Sequence, residues 1–418
     1  SWVQIYDRVA AGEMPPPDSG EVNEAERKSF LQSTARAIAN HQWREAATLG
    51  RVRGRRLTNL QLERTLQDLL GIDIPLAKDF SDEPRTGGFT TVADGQPMSH
   101  FQLEQHLSAV DLALAEAFRR ASSPPDEKIE TFGPERIVRT KPKARTREPE
   151  MRQGLAVVWS CKMEFYGRIP ITTAKKSGWY RFHITASSIK QPKEHGVWCT
   201  VRSGPCVSSA PMLTLVGAFE ATEQPKQWTF EAWMEEGHML EIRPRDSALR
   251  VAKFAGGQVG AGEGEPQNVP GVAFHEIQVE RIHRGADRAQ IRKYLFGDHA
   301  SADAIDLRLV SAKPKADATK LLVSFASRAM RRPVQPTEIQ SYIDEVHEEL
   351  DRGKPLTEAL RNGYRSLLFS PRFLYLQETP GRLDHYAVAS RLSYLLWQSM
   401  PDDELMSLAK AGKLHDPE

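Results

Sequence analysis

The chain has 418 residues, with 56 lysines and arginines against 55 aspartates and glutamates, a formal net charge of +1. A balance this close leaves no global field to attract nucleic acid or a membrane surface, and no apolar run approaches the ~18 residues of a spanning helix. The length predicts several domains with substantial cores.

In chain order, Trp2 to Val9 reads as a short helix that runs into Gly12-Glu13-Met14-Pro15-Pro16-Pro17. A chain that opens inside a helix is expected to continue a domain begun before Ser1, and no leader peptide is legible. Many small c-type cytochromes present an axial thioether to haem iron on a methionine held by following prolines, whose rings fix φ. Covalent haem attachment needs Cys-x-x-Cys-His, which this chain lacks. Met14 as an axial ligand therefore requires an attachment site before Ser1; the alternative is a surface turn residue.

Val22 to Ile38 has helical periodicity with Asn23 as N-cap. Thr58-Asn59-Leu60-Gln61 is a capping box that opens a helix with Leu62, Leu66, Leu69 and Leu70 on one face, and Gly71 stands at its C-terminal stop. Ser99-His100-Phe101-Gln102 is a second capping box, and its helix continues to Phe118. The segment Phe80 to Pro97, with Gly87-Gly88-Phe89, is too long for a simple connector and is expected to pack on the helices through Phe80 and Phe89. Residues 122–153 open on Ser122-Ser123-Pro124-Pro125 and carry the basic run Arg139 to Arg147. They read as a solvated linker or arm rather than a binding patch.

Over residues 154–283 the period changes to two. Gly178 to Ala186, Val197 to Val201, Trp228 to Trp233, His238 to Ile242 and Ala273 to Glu280 read as strands of an antiparallel β-sandwich, jelly-roll-like. Phe254 to Gly271 reads as a long mobile glycine-rich loop. Cys199 and Cys206 flank the turn-like Arg202-Ser203-Gly204-Pro205, so a hairpin there makes them a candidate disulfide; buried free thiols are the alternative. Five of the eight tryptophans, Trp159, Trp179, Trp198, Trp228 and Trp233, fall in this region. Flat exposed aromatics offer a stacking face for sugar rings, whereas buried ones are core. Trp179, Trp228 and Trp233 are the candidate sugar platform. Trp228 and Trp233 are an odd number apart and so face opposite sides of a regular strand, which predicts at least one exposed ring with polar neighbours.

Residues 286–418 return to helix. Thr337-Glu338-Ile339-Gln340 is a capping box for a helix ended by Gly353; Leu356 to Ser370, Asp384 to Gln398 and Asp402 to Ala411 follow. The fold class is multidomain α + β, with two all-α blocks and an antiparallel sandwich inserted between them; the blocks are expected to dock on each other with the sandwich protruding, and beads on a string is the rival arrangement. No phosphate-binding glycine loop, zinc-binding His-Glu-x-x-His, nucleophile elbow or Cys-x-x-Cys occurs. No carboxylate pair reads as general acid and base. The residues assign neither a reaction nor a metal.

Several segments resemble the multidomain cytochrome c-linked proteins of unknown function found in Planctomycetes and related bacteria. Gly12-Glu13-Met14-Pro15-Pro16 is similar to the end of their cytochrome c domain. Arg55-Arg56-Leu57-Thr58-Asn59, Asp68 to Asp73 and Gly87-Gly88-Phe89 resemble their first helical domain. Gly178-Trp179-Tyr180 and Val272 to Ile277 resemble the β module these proteins often insert. Arg331-Arg332-Pro333 with Leu368 to Tyr375 resembles the next helical domain, and Ala389 to Trp397 with Ser399 to Leu405 the start of the one after. The resemblance implies residues 1–45 as a cytochrome remnant, 46–121 as a helical domain, 122–153 as linker, 154–283 as a carbohydrate-binding-like sandwich, 286–380 as a second helical domain and 381–418 as the truncated start of a third.

It also implies a periplasmic or otherwise extracytoplasmic protein that carries haem c at full length and none on this chain alone. The sandwich is expected to bind a glycan or another extracytoplasmic protein, with a redox partner that the residues do not identify and a role in polysaccharide processing. The competing expectation is a non-redox structural or interaction module with a degenerate cytochrome remnant. A hydrolase would need convergent carboxylates that the sequence does not display.

Overall fold

The structure is a computed structural model, and it describes residues 1–16, 23–49, 54–93, 98–123, 128–138, 146–207, 212–260, 262–300, 309, 311–378 and 381–415. Helices α1 (Trp2–Ala10) and α2 (Glu24–Leu49) come first. Strand β1 (Arg55–Arg56), α3 (Asn59–Leu70) and α4 (His100–Ser122) follow. The chain then enters β2 (Ile129–Phe132), the single turn α5 (Pro134–Ile137), β3 (Glu150–Arg152), β4 (Leu155–Trp159) and β5 (Arg168–Ile169). The long strands are β6 (Gly178–Ile189), β7 (Val197–Gly204), β8 (Thr214–Ala221), β9 (Lys226–Met234), β10 (Met239–Pro244) and β11 (Gly271–Ile282). Helices return with α6 (Arg288–Phe296), α7 (Pro314–Ala329), α8 (Gln340–Asp351), α9 (Leu356–Phe369) and α10 (Pro371–Leu374). Strand β12 (Tyr375–Leu376), α11 (His385–Leu396) and α12 (Asp403–Lys410) complete the chain.

Two compact units result. One is helical and discontinuous, made of residues 1–71, 75–121 and 289–418; the other, residues 72–74 and 122–288, is the sandwich. The architecture is α + β and multidomain, with the sheets inserted between two helical stretches.

In the helical unit the local signals act where the sequence places them. Thr58 Oγ1 accepts from Gln61 N at 3.2 Å, and Gln61 Oε1 accepts from Thr58 N at 3.2 Å. Leu62, Leu66, Leu69 and Leu70 are all buried, and Gly71 ends α3 in the left-handed region at φ 72°. Such a φ favours glycine because it has no Cβ to clash. Ser99 and Gln102 form the second box, at 3.0 and 3.1 Å. The start of α8 differs from expectation. The capping box there is Gln335 with Glu338, around a 3-10 turn Pro336–Ile339, and the α-helix begins at Gln340. Pro336 sets the first turn, and Glu338 is engaged by Arg332 at 2.7 Å.

The early and late helical stretches form one body. β1 pairs antiparallel with β12, Arg55 opposite Leu376 and Arg56 opposite Tyr375. Leu57 N donates to Leu374 O at 2.8 Å, and Thr65 Oγ1 lies 2.8 Å from the Tyr394 hydroxyl. Buried Arg331 donates to that hydroxyl at 3.3 Å and to Phe373 O at 3.1 Å. Arg292 Nε donates to Ala121 O at 2.8 Å, so the residues that bracket the inserted sandwich are held together.

The sandwich has two antiparallel sheets. The larger runs β3-β4-β11-β6-β9, with β2 also pairing β11, and the smaller runs β5-β10-β7-β8. Alternation buries Tyr180, Phe182, Ile184 and Ala186 of β6 against Cys199, Val201, Leu240 and Ile242 of the smaller sheet in one core. Three expectations are corrected. Residues 122–153 are not simply a linker: β2 joins the larger sheet, and Phe132 and Ile137 are buried in the core. Most of the basic run Arg139 to Arg147 lies outside the described residues. The glycine-rich segment Phe254 to Gly271 is anchored, because Val259 and Val269 are core residues and Glu150 accepts from Gly262 N at 2.9 Å. No hairpin turns at Arg202 to Pro205, because β7 runs straight on to Gly204.

Candidate functional site

The outer face of the smaller sheet carries a cluster of charged side chains beside an exposed tryptophan. Cys199 and Val201 point into the core, so Trp198, Thr200 and Arg202 point out. On β10, Glu241 and Arg243 share that outer face, opposite Arg202 and Thr200 respectively. Arg168 of β5 faces Glu241, and Glu220 of β8 faces Trp198. Arg245 follows β10, and its backbone N donates to Trp198 O at 2.9 Å.

Trp198 is 48% exposed, more than any other sandwich tryptophan. Glu220 stands opposite it on β8 and Arg245 opposite it on the other side, after β10. Farther along β7, Glu241 stands opposite Arg202, is buried, and accepts from Arg202 Nη2 at 2.8 and 2.7 Å. Burial raises the Glu241 carboxyl above its ordinary range, and Arg202 opposes that rise. Arg243 is buried as well, with Nη1 on Met163 O. Its Nε lies 3.0 Å from Glu241 Oε1 without forming a hydrogen bond. Arg168 Nε, Arg202 Nε and Thr200 Oγ1 are also buried without hydrogen-bond partners.

The three tryptophans expected as a platform do not form one. Trp228 lies on the inner side of β9, its ring 4.4 Å from that of Phe219 and packed against the core. Trp179 and Trp233 are cross-strand neighbours on the outer face of the larger sheet, with centroids 6.1 Å apart, edge to face. Both are already engaged. Trp179 Nε1 donates to Asp73 O at 2.8 Å, and the Arg284 guanidinium sits 3.8 Å over its ring. Trp233 Nε1 donates to Glu235 at 2.8 Å. Trp159 is fully buried. Trp198, which lies outside that expected platform, owes its exposure to the register of β7, which sets the face it occupies.

Cys161, Cys199 and Cys206 are free and buried. The expected Cys199–Cys206 bridge is absent for a geometric reason. Five strand steps from Cys199 to Gly204 span about 16 Å, and two further residues cannot return to the ~7 Å limit for bridging. Met14 is partly exposed on the turn after α1, and its N donates to Arg8 O at 3.3 Å. Arg27 of α2 ties down that turn through Val9 O and Ala10 O, both at 3.1 Å. Pro17 lies outside the described residues. With all three cysteines buried and no Cys-x-x-Cys-His in the chain, these residues do not fit a complete haem c site; Met14 is at most one ligand.

The helical unit holds a 740 Å³ cavity lined by Arg331, Arg332, Glu338, Arg372, Tyr375 and Glu378 among others. Its charges are internally matched. Arg332 grips Glu338 at 2.7 Å, which holds that carboxyl down to about 2, and Arg391 grips Glu378 at 2.7 and 2.5 Å. Among the described residues no group of three or more His, Cys, Asp or Glu is placed to hold a metal ion, and no helix is long and apolar enough to cross a membrane.

Comparison with known proteins matches three stretches within the helical unit. Residues 55–119 match PSD3, a protein of unknown function (DUF1587), residues 317–378 match PSD5 (DUF1595), and residues 383–418 match PSD4 (DUF1592). The chain carries all three domains. Their co-occurrence is consistent with a multidomain cytochrome c-associated family of unknown function. In the structure the DUF1587, DUF1595 and DUF1592 segments make up most of one body, joined through the β1–β12 pair and the Tyr394 hydroxyl. No curated protein matches the chain. Among solved structures, a mutant of the carbohydrate binding module CBM29-2 is 8% identical, covering 38% of this chain and 77% of its own, with a TM-score of 0.19. BiXyn10A CBM1 in apo form is 11% identical, covering 37% and 97%, with a TM-score of 0.20. A ruminal GH26 endo-beta-1,4-mannanase is 13% identical, covering 38% and 27%, also at 0.20. Scores this low carry no argument about the present chain.

Proposed function

We propose that the sandwich is a glycan-binding module and that the helical unit is the scaffold that carries it. The observation that supports this is the exposed Trp198, with Glu220 and Arg245 opposite it on either side, on the outer face of the smaller sheet. An indole face gives the apolar C–H side of a sugar a flat partner, and the flanking groups hydrogen-bond its hydroxyls. A bare apolar border would instead favour a protein interface. The test is gel retention on immobilised polysaccharides. Trp198→Ala is expected to weaken retention roughly tenfold, equivalent to about 1.4 kcal/mol, with an unchanged melting temperature because the ring is exposed. Retention equal to wild type removes this reading.

The same proposal places the chain in an extracytoplasmic, haem-linked protein with a role in polysaccharide processing. Its support is the Met14 turn and the DUF1587, DUF1595 and DUF1592 set. Met14 serves haem only with an attachment motif supplied outside these residues. A pyridine haemochrome spectrum of the intact full-length protein decides the matter, and a haem-free result ends the redox reading.

A further inference from the structure

The arginines beside Trp198 identify the class of glycan, an inference that rests on the glycan-binding reading above. Glu164, on the loop between β4 and β5, projects its carboxylate among three guanidinium groups. It lies 3.5 Å from Arg243 Nη2, 3.7 Å from Arg202 Nη2 and 3.9 Å from Arg245 Nη1. All three distances are longer than the ~2.7–2.9 Å of a tight charge-assisted pair, and the Glu164 side chain is 60% exposed. The buried Glu241 on the same face shows what a tight partner looks like, at 2.7 Å from Arg202. Glu164 is therefore a loosely held anion at the solvent boundary of a seat it does not fill. Behind it stands Arg243, whose side chain is only 2% exposed and whose Nη2 reaches Glu164 only at 3.5 Å. With Glu164 swung out, Arg202, Arg243 and Arg245 are left with the Glu241 carboxylate as their close counter-charge, a local excess of positive charge on a chain whose overall charge is near zero.

We propose that Arg202, Arg243 and Arg245 form an oxyanion seat for the acidic substituent of an anionic polysaccharide, carboxylate or sulfate. Glu164 occupies the seat until the ligand displaces it, and Trp198 stacks the sugar ring alongside. Arg245 joins the two halves, because its backbone is hydrogen-bonded to Trp198 and its guanidinium faces the seat. The guanidinium fork suits both substituents, since each presents paired oxygens.

The test measures affinity of the whole chain for polygalacturonate, a sulfated galactan and a neutral glucomannan at low and at 0.5 M salt. Binding to at least one acidic polymer is expected at least about tenfold tighter than to the neutral one, weakening with salt; which acidic polymer wins separates uronate from sulfate. Arg245→Ala, at an exposed side chain, should cost about tenfold on the acidic polymer with the melting temperature unchanged. Glu164→Gln should raise affinity severalfold by removing the competing charge. Arg352→Ala, an exposed arginine of the helical unit, is the control for diffuse attraction and should change nothing. Equal or tighter binding of glucomannan overturns the anionic assignment while leaving the glycan reading intact. Loss of affinity in Glu164→Gln overturns the displacement step, and binding to none of the three removes both inferences.

Discussion

His106 shows how one buried residue sets a pH limit on the helical unit. Arg56 Nη1 lies 3.2 Å from its Nε2, so that nitrogen accepts and the ring is held neutral. Glu83 balances the guanidinium from the other side at 3.0 Å. Burial first, and Arg56 second, push His106 down to about 4. The unfolded chain binds this proton near pH 6.5, so stability is full above that value and falls as the pH drops from 6.5 toward 4. The loss attributable to His106 is on the order of 3 kcal/mol. Urea melts at pH 7.5 and 4.5 should show it as a fall that His106→Gln lacks; parallel falls in both proteins would contradict the assignment. The same residue shows the limit of reading the sequence alone. Its place on the α4 helix is legible, but the arginine against it lies fifty positions away and is brought there only by tertiary packing.

At the scale of elements, local signals were legible and pairings were not. Thr58, Gly71, Ser99, Asp384 and Asp402 stop or start helices through bonds to residues two to four positions away, so the sequence carries the whole cause. β8 was missed because a register shift between Val201 and Arg202 breaks its inside–outside alternation, leaving Leu215 63% exposed. β2 is not legible as a strand, since four residues with Ile129 exposed give no period; pairing with β11 makes it one. The outward side of β7, and with it the candidate site, depends on which neighbours that strand selects. Helix α9 gives a prediction in which two local effects compete. Gly363→Ala gains about 1 kcal/mol of helix propensity. The new Cβ, however, would stand 2.5 Å from Val346 Cγ2 and 2.8 Å from Leu322 Cδ2, where α7, α8 and α9 meet. Overpacking of that kind costs about 1–3 kcal/mol, so a lower melting temperature is expected, and a rise would show that the helices yield.

For the molecule as a whole, segments distant along the chain belong to one helical body. The DUF1587 segment shares a body with the DUF1595 and DUF1592 segments across the inserted sandwich, and the Arg292–Ala121 bond closes the insertion at its base. Replacing residues 123–287 with a short Gly/Ser linker is therefore expected to leave a helical protein with one cooperative thermal transition, followed by circular dichroism at 222 nm. Residues 289–418 alone should show none, having lost β1 and Thr65. A fragment 289–418 that melts cooperatively would separate the two stretches again. The cysteines described above give the sandwich a clock of its own. Burial pushes Cys161 up to about 11 and Cys206 up to about 12, and lifts Cys199 further. A thiol in that state neither attacks a disulfide reagent nor ionises for an alkylating one. Modification must wait for the sheets to part, so the time course of a chromogenic thiol probe at saturating concentration reads the breathing rate of the β core directly, in a molecule whose helices contain no cysteine to blur the signal.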